Sequence, residues 1–164
     1  MMAKSPDQTT LDPNVVVLNL LESSGDLSPT GRLVISRYMR TWSCDALRAL
    51  TETHLLTEGA LAERLAEAFQ APLIRGLNKL SIILESLDVL PFQQARNWEM
   101  ILVTDETATK RLVVASPACL DRIEKIREAL PFGFTLSVGE RSDIVRAIDE
   151  LYPLAAQLPS LHGE

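Results

Sequence analysis

The apolar periodicity of this chain changes at Pro72, and that change limits the possible folds more than any other feature. Before it, apolar residues recur at three- and four-residue spacing, as amphipathic helices require. After it, short alternating or continuous apolar runs appear, as strands require. A helical half must therefore be followed by an α/β half.

The helical half carries its own punctuation. Asp12-Pro13 offers an N-cap and a proline at the first helical position, and Val17, Leu20 and Leu21 follow at helical spacing up to a stop at Gly25. Ser28-Pro29 repeats the device for a second helix through Leu33 and Tyr38 toward Met39. Ser43 is the expected cap of a third, with Leu47 and Leu50, and Thr57 of a fourth, with Leu61, Leu65, Ala68 and Phe69. The segment from Leu20 to Ser28 also aligns with Ala49 to Thr57. Each reads as helix, tight corner, apolar residue, Ser/Thr cap and new helix, so two stacked helix–corner–helix units would bury one another's apolar faces.

In the second half, Ile82 to Leu87 reads as a short helix, and Pro91 opens another through Ala95. Strands are expected at Trp98–Val103, Arg111–Ala115 and Phe134–Val138, with a helix placing Leu120, Ile123, Ile126 and Leu130 inward between the last two. A final helix with Ile144, Ala147, Ile148 and Leu151 should stop at Pro153. The fold class is α+β: a helical subdomain over 12–75, then a small three-stranded sheet packed with helices over 76–153 sharing its core. Residues 1–11 and 154–164 are expected to be tails.

Charge and composition exclude several functions. A formal net charge of −6, with no cluster of Lys or Arg, argues against nucleic acid as a partner. No apolar run approaches the length of a membrane span or a signal peptide, so a cytoplasmic protein without membrane insertion is expected. Cys44 and Cys119 lie outside metal-ligand spacing and read as reduced core residues. His54 falls at a helix corner and His162 in a tail, with no partners for a metal or a triad. Asp121, Glu124, Lys125 and Glu128 read as one solvated helix face, and Trp98 as a core residue at a strand start. No cofactor, metal or catalytic residue is expected.

Certain segments carry a resemblance. Leu55-Leu56-Thr57-Glu58 through Leu65 to Ala71-Pro72-Leu73-Ile74, then Ile83 to Pro91, Met100 to Val103, Arg111 to Ala115, Leu136 to Gly139 and Ile144 to Tyr152, follow a familiar order. It resembles the N-terminal, MshEN-like domain of type II secretion and type IV pilus-assembly ATPases, over roughly residues 14 to 152. The resemblance implies a regulatory or docking module that meets an inner-membrane platform protein through its helical half. The motor of those ATPases needs a P-loop, with two glycines five apart before Lys and Ser/Thr. The seven glycines here provide no such pair.

Some members of that family bind cyclic di-GMP through two copies of an Arg-Leu-Gly motif followed by spaced Leu, Gly, Leu, Leu and Gln. Here Val16-Val17-Leu18 and Asp45-Ala46-Leu47 stand in the two Arg-Leu-Gly places, His54 replaces the second corner glycine and Ala68 the Gln. The packing leucines remain while the arginines are gone, so cyclic di-GMP binding is not expected. The expected function is a non-catalytic docking module, with a degenerate cyclic di-GMP receptor or an unrecognised small α/β enzyme as the alternatives. Tyr38, Arg40 and Trp42, in and before the connector Arg40 to Ser43, are the candidate partner-binding residues, because those types dominate interface hot spots.

Overall fold

The computed structural model describes residues 12–157, with side chains to residue 155; the expected N-terminal tail and His162 lie outside the described residues. Four helices come first: α1 (Pro13–Ser23), α2 (Pro29–Trp42), α3 (Ala46–Glu52) and α4 (Glu58–Phe69). Side chains cap all four: Asp12 accepts from the Asn14 amide, Ser28 from Gly31, Asp45 from Arg48 and Thr57 from Ala60. Two expectations change here. The third helix is capped by Asp45 rather than Ser43, and α2 runs on through Arg40, Thr41 and Trp42. No proline or glycine follows Met39 to stop it, so it ends only where Ser43 turns left-handed at φ 52° and the Cys44 amide bonds back to the Met39 carbonyl.

The two corners have the same hydrogen bonding. The amides of Asp26 and Leu27 both donate to the Leu21 carbonyl, and those of Leu55 and Leu56 both donate to that of Leu50. Each corner needs one residue at positive φ, and these are Gly25 at 86° and His54 at 63°. Glycine enters that region without cost, whereas a Cβ is crowded there.

The second half holds a sheet in the order β1-β2-β3-β4: β1 (Ser81–Ile82), β2 (Met100–Thr104), β3 (Lys110–Val114) and β4 (Thr135–Val138). The first two pairings are antiparallel, and β3–β4 is parallel across helix α6 (Leu120–Ala129). The sheet thus has one strand more than expected. Ile82 to Leu87 is not a helix; it divides into β1 and a 3₁₀ turn, Leu84–Leu87, because Ile83 donates to the Leu102 carbonyl of the sheet. Met100 to Val103 are all buried, so both faces of β2 are covered.

Helices α5 (Phe92–Trp98) and α7 (Arg141–Gln157) pack against the sheet. The expected stop at Pro153 does not occur. Tyr152 is buried with its hydroxyl donating to the Leu90 carbonyl, and Ala155 is buried beyond it, so packing carries the helix past the proline into the expected tail. Gly139 lets β4 turn into α7, because a Cβ there would lie 2.8 Å from Val113 Cγ1. The connector between the halves joins the sheet edge, Ile74 donating to Val138 and Val138 to Pro72. The buried apolar side chains form one cluster across both halves.

The second corner gives a test. His54 is exposed, so its left-handed backbone has no side-chain packing to offset it. His54→Gly should raise stability by up to about 1 kcal/mol, measured by urea unfolding. A loss of stability would mean that the imidazole makes a contact the fold needs.

Candidate functional site

A cleft of about 550 Å³ lies where the start of the helical half meets the β2 and α6 ends of the second half. Val16 and Val17 of the first motif copy and Asp45 and Leu47 of the second line one wall. The pseudo-repeat brings both degenerate segments to one place, helped by Asn14, whose side-chain oxygen accepts from the Ala46 amide at 2.9 Å. Trp98, Glu99, Arg122 and Arg141 line the other side. Trp98 is thus not a core residue at a strand start. It ends α5 half-buried, with the Arg122 guanidinium 5.4 Å above its ring.

Arg141 controls the electrostatics. Its Nη1 lies 3.3 Å from Asp45 Oδ1, and its Nε donates to Glu99 Oε2. The Glu99 carboxyl is held above the usual carboxylate range, because burial favours its neutral form more strongly than Arg141 opposes this. Glu99 also has a positive φ of 56°, so a partly buried carboxylate sits on a left-handed C-cap where α5 meets β2. Next to Arg141, the Ser142 amide and hydroxyl both donate to Glu58 Oε1, at 3.2 and 2.6 Å. A carboxylate of α4 thereby caps the N-terminus of α7. The cleft contains Asp12, Asp45, Glu99 and Asp121 against Arg122 and Arg141, and both arginines already have partners.

The MshEN domain family matches residues 69–158. The chain belongs to the MshEN domain family. The match falls on the α/β half and its junction with α4, while solved structures extend the likeness to the helical half. MshE with cdg is 22% identical over 83% of this chain and 98% of that one, with a TM-score of 0.62. The N-terminal domain of XpsE is 22% identical over 93% and 100%, with a TM-score of 0.58. A second crystal form of it is 20% identical over 87% and 98%, with a TM-score of 0.59. At these identities the likeness is one of fold. No curated protein matches the chain. Among the described residues no His, Cys, Asp or Glu cluster could hold a metal ion, and no helix is long and apolar enough to cross a membrane.

The other sequence-derived candidates lie outside this cleft. Tyr38, Arg40 and Trp42 all sit on the C-terminal half of α2. Trp42 is 66% exposed, its ring 6.1 Å from that of Tyr38, whose hydroxyl donates to Glu52 Oε1 at 2.7 Å. Arg40 is exposed. Arg141, Glu99 and Arg122 have no signal in the sequence, because each becomes part of the site only through long-range packing.

Removing Arg141 should have a pH-dependent effect. Arg141→Ala leaves Glu99 buried without its guanidinium and should cost about 1–2 kcal/mol near neutral pH, less than a fully buried pair because both side chains keep some exposure. The raised carboxyl makes the folded state bind the proton more readily than the unfolded chain. The deficit should therefore shrink as pH falls from about 7 towards about 5. A deficit that stays constant or grows over that window, in denaturant titrations, would contradict the role given to Glu99.

Proposed function

We propose that this chain is a non-catalytic docking module of the MshEN type, which engages a protein partner through its helical half. The observation that carries this reading is Trp42, a large aromatic side chain left in solvent beside Tyr38, with Arg40 exposed on the same last turn of α2. A rigid aromatic and a planar guanidinium gain much contact area on binding for little lost entropy. In this reading the partner is an inner-membrane platform or assembly component of a secretion or pilus system, and the chain works on the cytoplasmic side.

Two measurements test the docking reading. Trp42→Ala should lower stability by under about 1 kcal/mol, where a core tryptophan would cost about 3–5. A photo-cross-linking amino acid at position 42, in cells that make the chain, should give a discrete adduct with one protein identifiable by mass spectrometry. The same group at Glu124, on the solvated face of α6, should not. A large loss of stability, or no adduct at position 42, would remove α2 from the docking site.

A second reading, a cyclic di-GMP receptor, is favoured by the fold shared with MshE, which was solved with cdg, and by the meeting of both motif copies at one cleft. The chemistry of the cleft speaks against it. Asp45 occupies one arginine place and Val16 the other, and the remaining carboxylates would repel phosphate. Calorimetry should give no saturable signal for cyclic di-GMP below about 10 μM, an affinity worth about 7 kcal/mol. ATP should be neither hydrolysed nor bound tightly. Cyclic di-GMP binding in that range would put the receptor reading first.

A further inference from the structure

We propose that the outer face of α2 binds an acidic amphipathic helix of a different protein, an inference that rests on the docking reading and names the partner's chemistry. α2 holds Arg32, Arg37 and Arg40 and no acidic residue, in a chain of formal net charge −6. Arg32 is engaged: its Nη1 lies 2.8 Å from Glu22 Oε1 and 2.6 Å from Asn19 Oδ1. Arg37 and Arg40 are exposed. Among the described residues they are the arginines with neither an ion pair nor an aromatic ring to stack on. Every other described arginine has found a partner, so this unsatisfied pair marks where opposite charge is missing.

The same face is apolar as well as basic. Leu33 is 72% and Val34 50% exposed, and α2 fully buries only Ile35. Arg37 lies one helical turn beyond both Leu33 and Val34, so the charge stands inside the apolar stripe rather than at its edge. Round the helix from these residues, with Trp42 about 140° from Arg37, Tyr38, Trp42, Arg48 and Glu52 border a shallow groove against α3, about 260 Å³, which suits an apolar side chain at the edge of the docked helix. The acid in that groove is already neutralised. Glu52 accepts from the Tyr38 hydroxyl and lies 3.4 Å from Arg48 Nε, so it does not repel an acidic ligand.

These features choose between occupants. A second copy of the chain, paired face to face, would set Arg37 and Arg40 against their own equivalents. A bilayer surface would hold this face weakly, because binding there scales with the apolar area inserted and the face offers only Leu33 and Val34. A helix with carboxylates interspersed among leucines satisfies both the charge and the apolar area.

The test uses three synthetic amphipathic peptides with identical apolar positions and Glu, Gln or Lys at the remaining surface positions. Each is titrated against the full chain and against Arg37→Glu/Arg40→Glu. The Glu peptide should bind at least about tenfold more tightly than the Lys peptide, weaken as salt is raised, and lose that preference to the Lys peptide in the charge-reversed variant. Both substituted side chains are exposed, and an unchanged melting temperature checks that the variant is folded. Equal affinities, no binding of the Glu peptide, or a preference that survives charge reversal would overturn the inference. So would Arg37- and Arg40-dependent sedimentation with phosphatidylserine vesicles, or self-association abolished by the same variant. A protein adduct at position 42 together with failure of the Glu peptide leaves docking standing and rejects the acidic helix. Failure of the adduct rejects both.

Discussion

The ion pairs around Arg141 fix how the two halves meet. One guanidinium holds the Asp45 cap of α3 and the Glu99 corner between α5 and β2. One residue on, Glu58 of α4 caps α7. The apolar cluster that spans both halves supplies the driving force for their association, but such contact is non-directional. Charge pairs and caps have direction. They set the angle at which the helical repeat stands against the sheet, and with it the position of every surface discussed above.

That arrangement has a functional consequence. The cleft at the seam is where both motif copies converge, yet its charged groups are already used in holding the molecule together. Asp45 caps a helix and binds Arg141, and Arg122 covers Trp98. The outer side of α2 is the reverse case. There Leu33, Val34, Arg37, Arg40 and Trp42 are exposed, and among the described residues the two arginines form no ion pair. In the proposed reading, recognition therefore belongs to α2 rather than to the cleft.

Much of the fold was legible because it is encoded locally. Asp12-Pro13, Ser28-Pro29 and Thr57 cap helices as their spacing predicted, and the runs in β2, β3 and β4 are strands. The equivalence of the two corners, visible in the sequence as a repeat, reappears as the same pair of hydrogen bonds to Leu21 and Leu50. Tertiary packing decided the departures. Ile82 and Ile83 join the sheet instead of a helix because the edge of β2 offers unpaired groups. Pro153 fails to end α7 because Tyr152 and Ala155 are anchored on either side of it. The seam could not be read at all. Asp45, Glu99 and Arg141 are far apart in the sequence, and no short-range pattern links a helix cap, a corner and a helix start.

The division of labour between cleft and outer face is tested most directly by hydroxyl-radical footprinting of the two tryptophans, comparing the purified chain with the chain inside the cells that make it. Trp42 should be oxidised readily in the purified chain and strongly protected in cells, while the half-buried Trp98 should react at the same rate in both. Protection in cells at Trp98, with Trp42 as reactive as in the purified chain, would place the working surface at the cleft and contradict the assignment to α2.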